Sequence, residues 1–310
     1  MTTRKRKRPS QVGKKPSNVK PFSVREFFQR FPTDDACLEH IMAVRYGLRH
    51  TCGKCGVIDA TFHKIKDRRA YACAHCGDHV YPCAGTVFQD SRTSLQVWFY
   101  AIYLFVTTRH GVSGKELQRT LGVTYKTAWR MGQQIRVLMT NAENFDMLRG
   151  HVEADEAYVG GKRSGGKRGR GAEGKTIVLG MKERGGRMVA EVIPNVQKVT
   201  LQEAVTRNVE PGSVVSTDEL MSYGLLTGDG YTHGQVKHGD KEYARYDYRD
   251  GVTHHVNHVE SFWFLFKRSI ASTHIHVSAK YMERYLSEFT FRSNHRQMEN
   301  AMFDLLIGAV

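Results

Sequence analysis

The sequence predicts an α+β protein of several domains, and three observations support this. Four cysteines in two C-x2-C pairs, 17 residues apart, are typical of an N-terminal zinc ribbon. In the middle of the chain, apolar residues recur with the periodicity of a helix on both sides of a turn at a glycine, which indicates a helical region. The last half alternates strand-like and helix-like segments, which predicts a C-terminal α/β domain.

Positive charge is concentrated in two segments of the 310-residue chain. Its net charge is +15; residues 1–20 carry eight Lys/Arg and no acid, and residues 161–175 carry six Lys/Arg and one Glu. We interpret residues 1–21 as a basic disordered tail, and both segments as arms that contact a polyanion. The alternative is a solvated tail and a solvated loop. The longest apolar run has ten residues, "VWFYAIYLFV", which is too short for a membrane span of about 20 residues.

The two C-x2-C pairs give four thiolates, which complete a tetrahedral zinc site and leave no position for water. We therefore expect structural Zn2+ within a helical lead-in and ribbon over residues 22–90. His50 and His75 are near enough to be alternative ligands, and a disulfide pairing is the other alternative. Cys37 and Cys83 are expected to be small buried residues. The expected zinc ligands are Cys52, Cys55, Cys73 and Cys76.

A DNA-binding helical region is predicted over residues 91–145. A largely buried helix should run from Ser94 to Gly111, followed by a shorter helix that turns at Gly122. Thr124 is a plausible N-cap for the next helix, which carries Lys126 and Arg130. This is the helix-turn-helix pattern. An ordinary helical hairpin would give a similar pattern.

Two aspartates lie on strand-like segments of the predicted domain 146–310. "HVEADEAYVGG" alternates like a strand, which places Asp155 on one face and Glu156 on the other, outside the site. A hairpin at 185–186 and a helix over 201–208 follow, and the next strand ends at Asp218. A later helix carries the remaining polar candidates on one face: Asn257, Glu260 and Lys267.

An acid on a first strand, one at a later strand end and one on a helix make up an RNase H-like arrangement. Carboxylates placed this way could hold two divalent cations for chemistry at a phosphodiester. Hard oxygen ligands suit Mg2+. Taken singly, each acid could equally be a surface carboxylate.

The chain resembles the ISXO-like group of DDE transposases from bacterial insertion sequences, which carry a zinc ribbon before the catalytic domain. The resemblance rests on the cysteine pairs and on "GVSGKELQRTLGVTYKTAWRM", "EADEAYVGGK", "STDELMSY" and "NHVESFWFLFKR". It implies a catalytic, Mg2+- or Mn2+-binding triad of Asp155, Asp218 and Glu260, with Lys267 holding a DNA phosphate. Asn257 is the alternative to Glu260 at the third position.

The resemblance also implies a function, that of an insertion-sequence transposase. We expect binding to terminal inverted repeats of double-stranded DNA, 3′-end cleavage and strand transfer, by a homodimer or larger assembly in the prokaryotic cytoplasm. A catalytically inactive DNA-binding regulator and a nuclease of the same fold are the alternatives. The expected DNA contacts near the active site are Lys162, Arg163, Lys167, Arg168 and Arg170.

Overall fold

The structure is a computed structural model that describes residues 22–143, 146–160, 175–298 and 301–310. The basic tail and the predicted contacts between Lys162 and Arg170 lie outside these residues. The described part of the chain starts with two helices, each capped by a hydroxyl: Ser23 Oγ accepts the N–H of Glu26, and Thr33 Oγ1 accepts the N–H of Ala36. A four-stranded antiparallel ribbon follows. The bounds are α1 Val24–Arg30, α2 Asp34–Arg45, β1 Arg49–His50, β2 Ala60–Lys64, β3 Tyr71–Cys73 and β4 His79–Val80.

Three helices make up the middle of the chain. Their bounds are α3 Leu95–Thr107, α4 Gly114–Leu121 and α5 Tyr125–Asn141. The prediction that α3 runs to Gly111 is wrong, because the backbone becomes extended at Thr108 (φ −93°, ψ 123°). As predicted, Gly122 ends α4 in a left-handed conformation (φ +65°), and Thr124 Oγ1 accepts the N–H of Thr127.

A five-stranded sheet forms the second half, in the order β7-β6-β5-β8-β9. Strands β5, β6 and β7 are antiparallel neighbours, whereas β8 is parallel to both β5 and β9. The helix between β7 and β8 starts three residues before the predicted Leu201. The bounds are β5 His151–Val159, β6 Thr176–Glu183, β7 Met188–Ile193, α6 Lys198–Asn208, β8 Val214–Thr217 and β9 Thr232–Gln235.

After the sheet come a short hairpin and three helices. The hairpin pairs β10 with β11 around a four-residue loop, and α7 continues into a π-helical turn, Ile270–His274. The bounds are β10 Arg245–Asp247, β11 Val252–His254, α7 Asn257–Ser269, α8 Met282–His295 and α9 Met302–Gly308. None of the described helices is long and apolar enough to cross a membrane.

The apolar residues of the sheet separate onto its two faces as strand alternation requires. Ala157 and Val159 pack with α7 and α8, whereas Val152 and Ala154 pack with α6. A further core joins the lead-in, the ribbon and helices α3 to α5, and it includes Phe303 of α9. The last helix therefore packs with the helical region, and the division of domains at residue 146 remains a prediction.

A buried ion pair connects the helical region to the second half. Arg136 Nε of α5 donates to Glu288 Oε2 of α8 at 2.7 Å, and Arg292 Nη2 donates to Glu288 Oε1 at 2.8 Å. Burial opposes ionisation of Glu288, yet the two arginines hold its pKa below the usual value. This cluster fixes α5 against α8.

Candidate active site and zinc site

The predicted zinc ligands come together at one end of the ribbon. The Sγ atoms of all four lie within 4.8 Å of one another, with Cys52–Cys76 at 3.6 Å and Cys55–Cys73 at 4.0 Å. Tetrahedral ligands with bonds of about 2.3 Å would be about 3.8 Å apart, so the cluster fits Zn2+.

The other cysteines and the nearby histidines have different surroundings. The six cysteines are all free, which excludes the disulfide alternative in this structure. Cys37 and Cys83 are buried, as predicted, and burial raises the pKa of Cys37 to about 12. The His50 ring stacks on Phe62 with centroids 4.1 Å apart, so packing accounts for its position, and His75 is exposed.

Two neighbouring parallel strands bring the predicted aspartates together. Asp155 lies in β5, and Asp218 directly follows β8, the strand paired beside it. Their carboxylate oxygens and those of Glu156 lie within 4.8 Å of one another. Oxygen ligands at this spacing suit a hard divalent cation.

Glu260 and Lys267 of α7 both influence the pKa of Asp155. Burial first, and then the charges of Glu156, Asp218 and Glu260, raise the pKa of Asp155 to about 8, whereas Lys267 opposes the rise. Burial also lowers the pKa of Lys267, against the attraction of Asp155. The four residues predicted for the active site therefore interact electrostatically in the structure.

Glu156 lies closer to this site than strand alternation predicts. Its side chain leaves β5 on the face that packs with α6, where the buried Tyr223 hydroxyl donates to Glu156 Oε2 at 3.3 Å. The glutamate is long enough to bring its carboxylate back to the two aspartates. Asn257, the alternative third ligand, is exposed in the first turn of α7.

The loop after β9 contributes groups that sequence reasoning missed. His238 Nδ1 lies 3.4 Å from Glu260 Oε1, and the backbone N–H of Gly239 donates to Glu219 Oε2 at 3.1 Å. The segments 218–219 and 238–239 therefore lie next to each other at the site. No periodic pattern marks this loop, so nothing in the sequence indicated that His238 or Gly239 lies beside the site.

Glu153 connects β5 to the start of α7. Its side chain is fully buried, and Oε2 accepts the backbone N–H of His258 at 2.9 Å. Oε1 accepts from Arg184 Nε at 2.9 Å and contacts His258 Nδ1 at 2.7 Å. Burial would raise the pKa of Glu153, but the hydrogen bonds from His258 and Arg184 outweigh it, so the pKa lies below the usual value.

The two basic residues predicted on α5 lie at its exposed end. Lys126 and Arg130 are exposed in the first two turns, whereas most of the helix beyond them is buried. The Arg130 guanidinium carbon is 6.0 Å from the ring centroid of Trp98. A helix with only its N-terminal end free could insert that end into the major groove.

Comparison with known proteins gives matches over both halves of the chain. Residues 147–294 match the ISXO2-like transposase domain, and residues 32–79 match the transposase zinc-ribbon domain. An uncharacterized protein in transposable element ISH50 of Halobacterium salinarum is 31% identical over 240 residues, which cover 72% of this chain and 77% of the relative. An uncharacterized transposase-like protein of Haemophilus influenzae is 28% identical over 109 residues, or 35% of this chain and 82% of the relative.

Proposed function

The chain belongs to the ISXO2-like transposase family, and from this premise we propose that it cleaves and joins DNA as an insertion-sequence transposase. It would bind the terminal inverted repeats of its element, cut at their 3′ ends and transfer the strands into target DNA. The observation that carries the proposal is the convergence of Asp155 and Asp218 from neighbouring parallel strands, with Glu260 and Lys267 acting on Asp155 from α7.

Asp155, Asp218 and Glu260 would hold Mg2+ or Mn2+ in this mechanism. Bound divalent cations stabilise the attacking and leaving oxygens of an in-line displacement at phosphorus. Burial first, and then the neighbouring carboxylates, raise the pKa of Asp155, and a bound cation would offset both effects, which supports such a role. Tyr223 would hold Glu156 in place through its hydrogen bond.

Lys267 would act on the DNA rather than on the cation. It lies two turns after Glu260, and it interacts with Asp155. Its ammonium group would hold a non-bridging phosphate oxygen next to the carboxylates. This contact would orient the phosphodiester for attack, first by water and then by the freed 3′-hydroxyl.

Recognition of the element ends is assigned to the first half of the chain. We propose that α4 and α5 act as a helix-turn-helix, with Lys126 and Arg130 contacting DNA, and that structural Zn2+ stabilises the ribbon. The mixed sheet with α7 against one face supports an RNase H-like catalytic domain. Because two DNA ends must be held together, we propose that a homodimer or larger assembly is the active form.

A nicking and joining assay tests this function. Purified protein is incubated with a labelled duplex carrying the element's own ends, with Mg2+ or without any added divalent metal, and no chelator is used because the ribbon needs its zinc. We expect metal-dependent nicks at the 3′ ends and joined products, both absent in Asp218→Asn. Glu203→Gln, an exposed acid on α6, serves as the matched control and should retain both activities.

Two outcomes would contradict the proposal. Bound but uncut DNA in every metal would identify a DNA-binding regulator. Nicks without joined products would identify a nuclease of the same fold.

A further inference from the structure

The segment 237–254, here called the tyrosine arm, exposes three aromatic side chains within six residues. Tyr243, Tyr246 and Tyr248 are 61%, 51% and 90% exposed. Tyr246 and Tyr248 lie two residues apart, where β10 leads into the hairpin loop, and their rings make an edge contact with centroids 4.9 Å apart. Exposed tyrosines this close together mark a binding surface, because their rings are apolar on both faces.

The base of the tyrosine arm is fixed to the catalytic sheet. The buried ring of His254 hydrogen-bonds to Ser216 Oγ of β8 at 2.7 Å and to Asp250 at 2.8 Å. Arg184, from the turn after β6, donates to the carbonyl oxygens of Thr253 (2.7 Å) and His255 (3.2 Å). The tyrosines are therefore presented by an anchored hairpin and not by a free loop.

The start of the arm lies beside Glu260 of the candidate active site. His238 contacts Glu260, and the His238 and Tyr243 rings have centroids 5.7 Å apart. A DNA phosphate bound beside Glu260 would therefore lie near Tyr243. Three residues further along the chain, at most about 11 Å away, Tyr246 begins the exposed pair.

The arm carries no net charge, which indicates how it would contact a nucleic acid. Four Lys/Arg are balanced by four Asp/Glu in residues 237–254. Two of the acids, Asp247 and Asp250, accept the backbone N–H groups of Arg249 and Val252 in the same hairpin. The arm therefore has little net attraction for phosphates, and its three exposed rings offer an apolar contact instead. Rings stack on bases only where the bases are unpaired.

We propose that the tyrosine arm holds unpaired nucleotides of the DNA end next to the cleavage site by stacking on Tyr246 and Tyr248. This inference rests on the proposed function for the presence of DNA at Glu260. Stacking tolerates any base sequence, so the arm would favour DNA ends with unpaired nucleotides without recognising their sequence.

The test compares two DNA duplexes of the same sequence, one fully paired and one with three unpaired nucleotides at its end. Their affinities are measured by fluorescence anisotropy without added Mg2+ or Mn2+ and without a chelator, so that DNA is not cleaved and the ribbon keeps its zinc. We expect wild type to favour the forked duplex at least about fivefold. Tyr246→Ala and Tyr248→Ala should lose most of this preference, while Tyr248→Phe should keep it because the ring remains.

The control is Tyr81→Ala, which removes a half-exposed tyrosine of the ribbon. It should leave the ratio of the two affinities unchanged, and all variants should retain the wild-type far-UV circular dichroism. The proposal is overturned if wild type shows no preference, or if both alanine variants keep it. It is equally overturned if those variants dissociate an oligomer in sedimentation, since the arm would then be a contact between copies of this chain.

The two experiments distinguish an error in the tyrosine-arm proposal from an error in the proposed transposase function. A preference for forked DNA that depends on the tyrosines, without nicking in the cleavage assay, would support the arm and contradict the transposase. Nicking that needs Asp218, without a tyrosine-dependent preference, would do the reverse.

Discussion

The carboxylate of Glu153 takes the place of an N-cap for the helix that starts at Asn257. It accepts the backbone N–H of His258 from another element, 105 residues away in sequence, and no side chain of α7 itself caps the helix. Glu153 lies two residues before Asp155 on β5, and His258 two residues before Glu260. The contacts of Glu153 with His258 therefore tie the strand that carries the first acid of the candidate site to the helix that carries the third.

Replacing Glu153 should lower both stability and activity. Glu153→Ala leaves Arg184 without its buried partner and the helix without its acceptor, so we expect a loss of about 3–5 kcal/mol in the free energy of unfolding. Glu153→Gln keeps an acceptor for the backbone and should cost less. Urea denaturation measures the loss. An effect no larger than that of Glu203→Gln, an exposed acid, would contradict this interpretation.

The ribbon should depend on its metal. Cys55→Ser should reduce bound zinc from one ion per chain to a fraction of that and unfold the ribbon, because structural zinc supplies much of the folding free energy of such small units. Atomic absorption and limited proteolysis measure the two effects. Cys83→Ala, a buried cysteine outside the cluster, is the control and should keep its zinc. Equal zinc content in both variants would contradict the assignment of the four clustered cysteines as zinc ligands.

Substitutions in the buried ion cluster between α5 and α8 should lower the free energy of unfolding by different amounts, depending on which residue is replaced. Glu288→Ala leaves both Arg136 and Arg292 buried without a carboxylate, at a cost of about 3–5 kcal/mol. Arg136→Met should cost less, since Glu288 keeps Arg292 and the methionine fills the space. The two unfolding free energies, measured under the same conditions, give the comparison. The reverse order would show that packing of Arg136 on the Tyr285 ring, at 3.9 Å, matters more than the charge.

Stability should fall as the solution becomes acidic. Burial is the main cause that lowers the pKa of His151, His233 and His274 to about 4 each. A histidine that is neutral when folded stabilises the fold above its unfolded pKa of about 6.5, and this contribution is lost as the pH falls toward 4.

The thermal midpoint should therefore decrease between pH 7 and pH 5, where most carboxylates are still ionised. His274→Gln removes one of the three groups and should make the decrease smaller. An unchanged pH dependence in that variant would show that His274 does not take part.

The aspartates of the candidate site could be predicted because a strand-like pattern positions each of them. Asp155 lies within an alternating segment and Asp218 directly follows the strand Val214–Thr217, and the structure places the two strands side by side. The contribution of Tyr223 and His238 could not be predicted. Tyr223 precedes β9 and His238 follows it, both in segments without a hydrophobic period, where long-range contacts fix the side chains.

Glu156 and the end of α3 show two further limits. Alternation gives the face from which a side chain leaves a strand, but it does not give how far a flexible glutamate reaches along the sheet edge. A glycine predicts a helix end, yet α3 stops four residues earlier, where its apolar run ends and the backbone extends. In both cases tertiary packing decides a detail that local signals leave open.

The position of α9 links segments that are far apart in the sequence. Phe303 is buried beside Phe22, Phe27 and Phe31, so the aromatic core of the first two helices is completed by residues 301–310. During synthesis this core cannot close until residues 301–310 have left the ribosome. A product that stops short of residue 301 keeps every residue of the candidate active site and the zinc site, but leaves a gap in the core that supports its DNA-binding half.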